Sequence, residues 1–255
     1  MSKLEALLWD VDGTLADTER DGHRVAFNHA FEQAGLDWQW DIGLYGKLLK
    51  VTGGKERIRY YLDEFNRDWP RPSDLEGFIA ALHKEKSQIY GDLMAQGGIP
   101  LRSGVLRLIR EAATSGIRLA IATTTTPANV DALLEQYFGS EGRKLFEVIA
   151  AGDVVANKKP APDIYQWAIE RLKLPVSACV ALEDSQNGMR SALSAGIETV
   201  VITLNDYTSH EDFTGAALVV DQLGEPENPC QVIKGDVDAI ELVDVGLLKQ
   251  LHGVS

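Results

Sequence analysis

The chain has 255 residues, 45% of them hydrophobic and 25% charged, with a net charge of −13. That is length and composition enough for a large core and one or two domains. The acidic balance argues against general nucleic-acid or anionic-membrane binding, and any phosphate must be held by local cations and backbone amides.

No 18-residue apolar run appears, so no transmembrane helix is expected. The first strand follows Met1 within a few residues, so no leader is expected. Cys179 and Cys230 form no disulfide framework. A cytoplasmic location is the expectation, or an organelle stroma if a transit peptide has been removed. The sequence does not fix oligomeric state, and a monomer is the working expectation.

Leu4 to Trp9 reads as a buried strand that ends in Asp10-Val11-Asp12-Gly13-Thr14-Leu15. Alternation along a strand starts Asp10 and Asp12 on one side. Two clustered carboxylates repel unless a cation or a shared proton lies between them. The pair therefore suggests a hard metal site, a carboxylate nucleophile beside a general acid, or both; a simple turn would use the same residues.

Helical patterns follow over 17–35, 42–50 and 55–66, and from a cap at Ser73 or Asp74 through Tyr90. Trp38 and Trp40 fall in a loop. With no strand signal between about 16 and 95, this block is a helical insertion.

Beyond Gly97 strands and helices alternate. Helix 104–115 precedes the strand Ile117 to Ala122, and a helix starts at Pro127. The strand Phe146 to Ala150 leads to a helix opened by Pro162. Then come the strand Ala178 to Leu182, helix 186–195, and strands Thr199 to Ile202 and Ala217 to Val220. After Asp221 an exposed acidic loop leads to a final helix near Val245 to Leu251. This alternation predicts a parallel, doubly wound α/β sheet, with ligands at the strands' C-terminal ends.

The residues at those ends fit that rule. The second strand ends in Thr123-Thr124-Thr125-Thr126-Pro127, which suits a helix cap and an anion. Thr123 is the better contact, and Thr126 reads as the cap. Lys158 and Lys159 precede a proline-started helix, where one can neutralise a phosphate while the other stays solvated. Glu183-Asp184-Ser185 ends a further strand. Together these make a kit for Mg²⁺-assisted phosphoryl transfer to a carboxylate.

In their order, Asp10-Val11-Asp12-Gly13-Thr14-Leu15, the Thr123 run, Lys159-Pro160 and Glu183-Asp184-Ser185 resemble the four motifs of the haloacid dehalogenase (HAD) superfamily. The resemblance implies an α/β fold: a HAD-like Rossmannoid parallel-sheet core (residues 1–16 and 95–255) with an inserted four-helix cap domain (17–94). It implies that Asp10 is the nucleophile and becomes an aspartyl phosphate. Asp12 would be the general acid/base and lend Mg²⁺ its carbonyl. Thr123 and Lys159 would bind the transferring phosphate, with Thr124 beside them. Asp184, supported by Glu183, would ligate the metal.

The insertion is similar to the cap of the branch that holds β-phosphoglucomutase and many sugar-phosphate phosphatases. Within it, the stretch Asp17 to Arg24, Leu44-Tyr45-Gly46, Thr52-Gly53-Gly54-Lys55-Glu56-Arg57 and Leu82-His83-Lys84-Glu85-Lys86 resemble the CbbY type. That type removes the 1-phosphate of xylulose 1,5-bisphosphate, an inhibitory by-product of Rubisco. By this resemblance the partner is a small phosphorylated sugar, and the cap closes over it. Gly53 and Gly54 admit close approach of a ligand. Lys55, Arg57, His83 and Lys86 are candidates for a second phosphate, and Glu19 and His23 for sugar hydroxyls. A phosphomutase and a non-catalytic regulator on the same fold remain alternatives.

Overall fold

The computed structural model describes residues 3–51 and 53–254. Two compact units emerge: one runs through Asp17 and resumes at Pro100, and the other spans Thr18–Ile99. In chain order the first strand is β1 (Ala6–Trp9), followed by a π-helical turn (Thr18–His23). Four helices follow: α1 (Arg24–Gln33), α2 (Ile42–Leu48), α3 (Gly54–Glu64) and α4 (Leu75–Ala95). The remainder runs α5 (Val105–Thr114), β2 (Arg118–Ala122), α6 (Pro127–Phe138), α7 (Gly142–Leu145), β3 (Phe146–Ala150), α8 (Asp163–Leu172), β4 (Cys179–Glu183), α9 (Gln186–Ser194), β5 (Thr199–Thr203), β6 (Leu218–Val220), β7 (Val232–Gly235) and α10 (Val245–Val254).

The α/β unit is built on a sheet ordered β3-β2-β1-β4-β5-β6-β7, parallel as far as β6. Its inner strands are continuous apolar runs because both faces are covered. On one face Ala6, Leu8, Ala120, Ala181 and Ile202 pack against Ile164, Tyr165 and Ala168 of α8 and Met189 and Ala192 of α9. The alternate residues Leu7, Trp9, Leu119 and Ile121 are buried on the other. The strand order reverses between β1 and β4, which makes the crevice beyond their C-terminal ends the topological switch point.

Two expectations need correction here. The first is that the sheet does not end at Val220. β7 pairs antiparallel with β6, and Leu223, Cys230 and Val243 are buried, so the stretch after Asp221 is not simply an exposed loop. Arg107 of α5 donates to the carbonyls of Leu223 (2.9 Å), Gly224 (3.0 Å) and Val243 (3.0 Å), adding to the bond that the Val243 N–H already makes to the Leu223 carbonyl. All four β7 residues are exposed, so no alternation marks the strand. The second is that residues 17–35 are not one α-helix. The stretch opens with the π turn, and π segments recur at functional sites.

The helical unit is held by an aromatic core. Trp38 and Trp40 do lie in a loop, yet both are buried against Phe31, with ring centroids 5.2 and 4.8 Å away. Tyr61 lies 5.4 Å from each of the two tryptophans. Buried Asn28 locks that loop. Its Nδ2 donates to the Trp40 carbonyl (3.0 Å) and its Oδ1 accepts from the Trp40 N–H (2.8 Å). Asp74, one of the two candidate caps, accepts from the Gly77 N–H at 2.9 Å.

Candidate active site

β1 and β4 are in register, Trp9 beside Leu182, so the next residues, Asp10 and Glu183, stand side by side at the strand ends. The Asp10 N–H donates to the Leu182 carbonyl at 3.0 Å, which fixes the strand end. The chain then curls: the N–H groups of Thr14, Leu15 and Ala16 converge on the Val11 carbonyl at 3.2, 2.9 and 3.2 Å. Gly13 sits in this curl at φ +87°, where a Cβ would be both strained and 2.1 Å from Asp184 Oδ2. Asp12 is half-buried in the same curl and bridges to Ala16.

Lys159 joins the strand ends. Its Nζ donates to Asp10 Oδ1 (2.6 Å) and to Glu183 Oε1 (2.5 Å), with all three side chains buried. Tyr165 of α8 donates to the same Glu183 oxygen at 2.6 Å. Lys158 turns away to Asp153 at 2.8 Å, so of the two lysines it is the solvated one. Asp184 is not a helix cap, because Ser185 accepts the Gly188 N–H of α9 at 3.1 Å. Thr126 caps α6 as expected. Thr123 is fully buried at the end of β2, and its Oγ1 accepts from the Thr125 N–H at 3.3 Å; Thr124 is exposed.

Asp10, Glu183 and Asp184 each offer an oxygen within 4.8 Å of the others. Burial lifts the Glu183 carboxyl to about 7; Lys159 and Tyr165 oppose the rise and Asp10 adds to it. Burial also holds Asp184 well above the usual carboxylate range, and Asp10 and Glu183 add to the shift. For Lys159, burial pulls the ammonium down, but Asp10 and Glu183 outweigh it and hold the group above its ordinary value. Two buried carboxylates thus share one ammonium, with a third, Asp184, beside them. A hard divalent cation fits this donor set, since it takes carboxylate oxygens and relieves their repulsion.

The helical unit gathers most of its candidates into a second cluster. Arg57 donates to the Tyr45 hydroxyl at 2.7 Å, and Tyr45 donates to Glu19 Oε2 at 2.6 Å. Lys86 Nζ lies 2.6 Å from His23 Nδ1, and the His23 ring stacks on Tyr90 at 3.9 Å. Arg57 and Lys86 are both buried. Burial lowers His23 to about 4, with Lys86 reinforcing and Glu19 opposing, so His23 is neutral and accepts from the ammonium. Lys86 falls to about 8, mainly through burial. A Cβ on Gly54 would lie 2.4 Å from the His83 ring, so that glycine is what admits His83 to the start of α3. Burial, Lys86 and Lys55 lower His83 as well. Gly53 takes φ +96°; Thr52 lies outside the described residues.

Three residues at these sites, Tyr165, Asn205 and Arg102, carry no signal in the sequence, and a fourth, Tyr45, carries only a motif with no role attached. Tyr165 supports Glu183, and Asn205 donates to Asp184 Oδ2 at 2.7 Å. Tyr45 bridges Glu19 and Arg57. Arg102 donates to the carbonyls of Gly13, Thr203, Leu204 and Asp221. Each acts across a long sequence separation, and only the Tyr45 stretch carries a motif signal.

A family model for haloacid dehalogenase-like hydrolases matches residues 4–196. With the switch-point carboxylates in place, the chain belongs to the haloacid dehalogenase-like hydrolases. Within that family it is 49% identical over 226 residues to the protein CbbY (plasmid) of Cupriavidus necator, covering 89% of this chain and 88% of that one. It is also similar to the crystal structure of CbbY from Rhodobacter sphaeroides in complex with phosphate, with 49% identity and a TM-score of 0.69, covering 86% of this chain and 94% of that one. A mutant of the Rhodobacter sphaeroides protein, in complex with xylulose-(1,5)bisphosphate, is 48% identical with a TM-score of 0.69 over the same shares. Among the described residues no helix is long and apolar enough to cross a membrane.

Proposed function

We propose that this protein is a Mg²⁺-dependent phosphatase that removes the 1-phosphate of xylulose 1,5-bisphosphate through a phosphoryl group carried on Asp10. The observation that carries this reading is the buried Asp10–Lys159–Glu183 bridge, with Asp184 beside it at the switch point. The xylulose-(1,5)bisphosphate complex of the 48%-identical relative supports the choice of sugar.

In this mechanism an Asp10 oxygen attacks phosphorus while the bond to the sugar oxygen breaks. Asp12 gives its proton to the departing oxygen, then takes one from the water that attacks the aspartyl phosphate. Inorganic phosphate leaves and Asp10 returns as a carboxylate. Lys159 fixes the Asp10 carboxylate in place and holds phosphate oxygens through charge-assisted hydrogen bonds. The Thr123 hydroxyl already accepts from the Thr125 N–H, so its own hydrogen remains to be donated to the phosphate. Thr124 adds a second hydroxyl from the same turn. The carboxylates of Asp10 and Asp184, the Asp12 carbonyl and the support of Glu183 would hold the metal. When bound, Mg²⁺ supplies a Lewis acid that offsets charge on the phosphate oxygens.

We assign the sugar and its second phosphate to the helical unit, which acts as a cap that closes for catalysis and reopens for release. Lys86 and Arg57, with Lys55 and His83, meet the phosphate; Glu19 and neutral His23 meet hydroxyls; Gly53 and Gly54 leave room for the ligand. The test is product analysis with Mg²⁺ present. One phosphate released per xylulose 1,5-bisphosphate, leaving xylulose 5-phosphate, is expected. An isomerised sugar phosphate without free phosphate would make the protein a mutase, and binding without turnover would make it a regulator.

A further inference from the structure

Asn205 lies in the loop that follows β5. Its Oδ1 accepts from the N–H groups of Tyr207 (2.9 Å) and Thr208 (3.2 Å), and its own N–H donates to Thr208 Oγ1 (3.3 Å). Two backbone donors on Oδ1 fix which way the amide faces, because a flipped amide would set Nδ2 against both. Nδ2 is therefore turned to Asp184 Oδ2, 2.7 Å away. Among the described residues, this is the side-chain hydrogen bond that Asp184 makes. It takes up one carboxylate oxygen and leaves the other for a cation.

The bracket around this bond is itself anchored. Arg102 donates to Thr203 Oγ1 (3.0 Å), to the Thr203 carbonyl (3.1 Å) and to the Asp221 carbonyl (2.9 Å), and also to the carbonyls of Leu204 and Gly13. A Cβ on Gly13 would lie 2.8 Å from Asn205 Nδ2, so the backbone of the Asp10–Asp12 loop packs directly on the Asn205–Asp184 bond. Arg102 thus ties together the Gly13 curl and the Asn205 loop, the two segments that pack against the Asp184 carboxylate.

From this geometry we infer that Asn205 is a positioning residue, whose amide sets the rotation of the Asp184 carboxylate for Mg²⁺. It acts through Asp184 and touches no substrate. The inference rests on the reading of the acidic cluster as the metal site. Outer hydrogen bonds of this kind orient metal ligands, and losing one weakens binding about 10–100-fold.

The experiment is calorimetric titration of Mg²⁺ into the metal-free full chain. Asn205→Ser keeps an oxygen near the Thr208 N–H but cannot reach Asp184. It is expected to weaken Mg²⁺ binding about 10–100-fold while the metal-free chain stays folded. Wild-type affinity in folded Asn205→Ser would overturn the role of Asn205 while leaving the metal site standing. No Mg²⁺ binding by the wild-type chain would overturn the metal site itself, and the inference with it. Should Asn205→Ser fail to fold, asparagine-selective ¹⁵N labelling of the wild-type chain decides. The Asn205 side-chain amide is expected to exchange slowly and to shift with Mg²⁺. Fast exchange with no shift would overturn the inference.

Discussion

Lys159 stands between Asp10 and Glu183 with almost no solvent to screen it. Replacing it by Met leaves the carboxylates without their ammonium. Breaking a buried pair in this way costs about 3–5 kcal/mol. Chemical denaturation of metal-free Lys159→Met at pH 8 is expected to show a loss of that order; stability equal to the parent would mean that the bridge is not formed. Glu183 gives a second expectation at this scale. Its folded value of about 7 lies above the ordinary 4.5, so between those limits the folded chain holds a proton that the unfolded chain has lost. Its contribution to stability therefore falls as pH rises from about 4.5 to about 7. His23 gives the opposite slope. Lowered from 6.5 to about 4, it contributes stability that is lost as pH falls through that window. Melting curves with EDTA and with Mg²⁺ separate the two, because the His23 slope is common to both. The gain in stability from Mg²⁺ should grow from pH 4.5 to 7, and a gain independent of pH would contradict the coupling.

At the scale of elements, strands were legible where both faces are covered. Leu7-Leu8-Trp9 and Val180-Ala181-Leu182 are unbroken apolar runs, each ending in acid, and their placement made Asp10 and Asp184 findable. β7 was not legible, because an exposed four-residue edge strand has neither alternation nor an apolar run. Lys159 could be preferred over Lys158 only through its place before Pro160-Ala161-Pro162; its burial is a tertiary fact. Tyr165 reads as ordinary core at helical spacing, and nothing local marks its hydroxyl for Glu183. Asn28 is a similar case, a polar residue in the apolar stripe of α1 that satisfies both backbone groups of Trp40. Asn28→Leu would orphan those groups, at about 1–3 kcal/mol. Urea denaturation should register that loss, and a neutral result would mean that the Trp38–Trp40 loop is held by its rings alone.

On the proposed function the two units have separate chemical duties. The α/β unit carries the carboxylates and Lys159, and the helical unit carries buried cations with few acids beside them. On the proposed function, Lys86→Met should raise KM for the bisphosphate by at least about tenfold and change KM for a sugar monophosphate little. Steady-state kinetics on both substrates would check this, and equal losses on the two would remove Lys86 from selectivity. The central claim is the covalent step on Asp10. Its most direct measurement is acid quenching during turnover of xylulose 1,5-bisphosphate with Mg²⁺, followed by mass spectrometry of the peptide that carries residue 10. One phosphoryl group on Asp10 is expected in the wild-type protein. None is expected in Asp10→Asn, with phosphate release reduced at least about a thousandfold. Undiminished phosphate release by Asp10→Asn would contradict the covalent step.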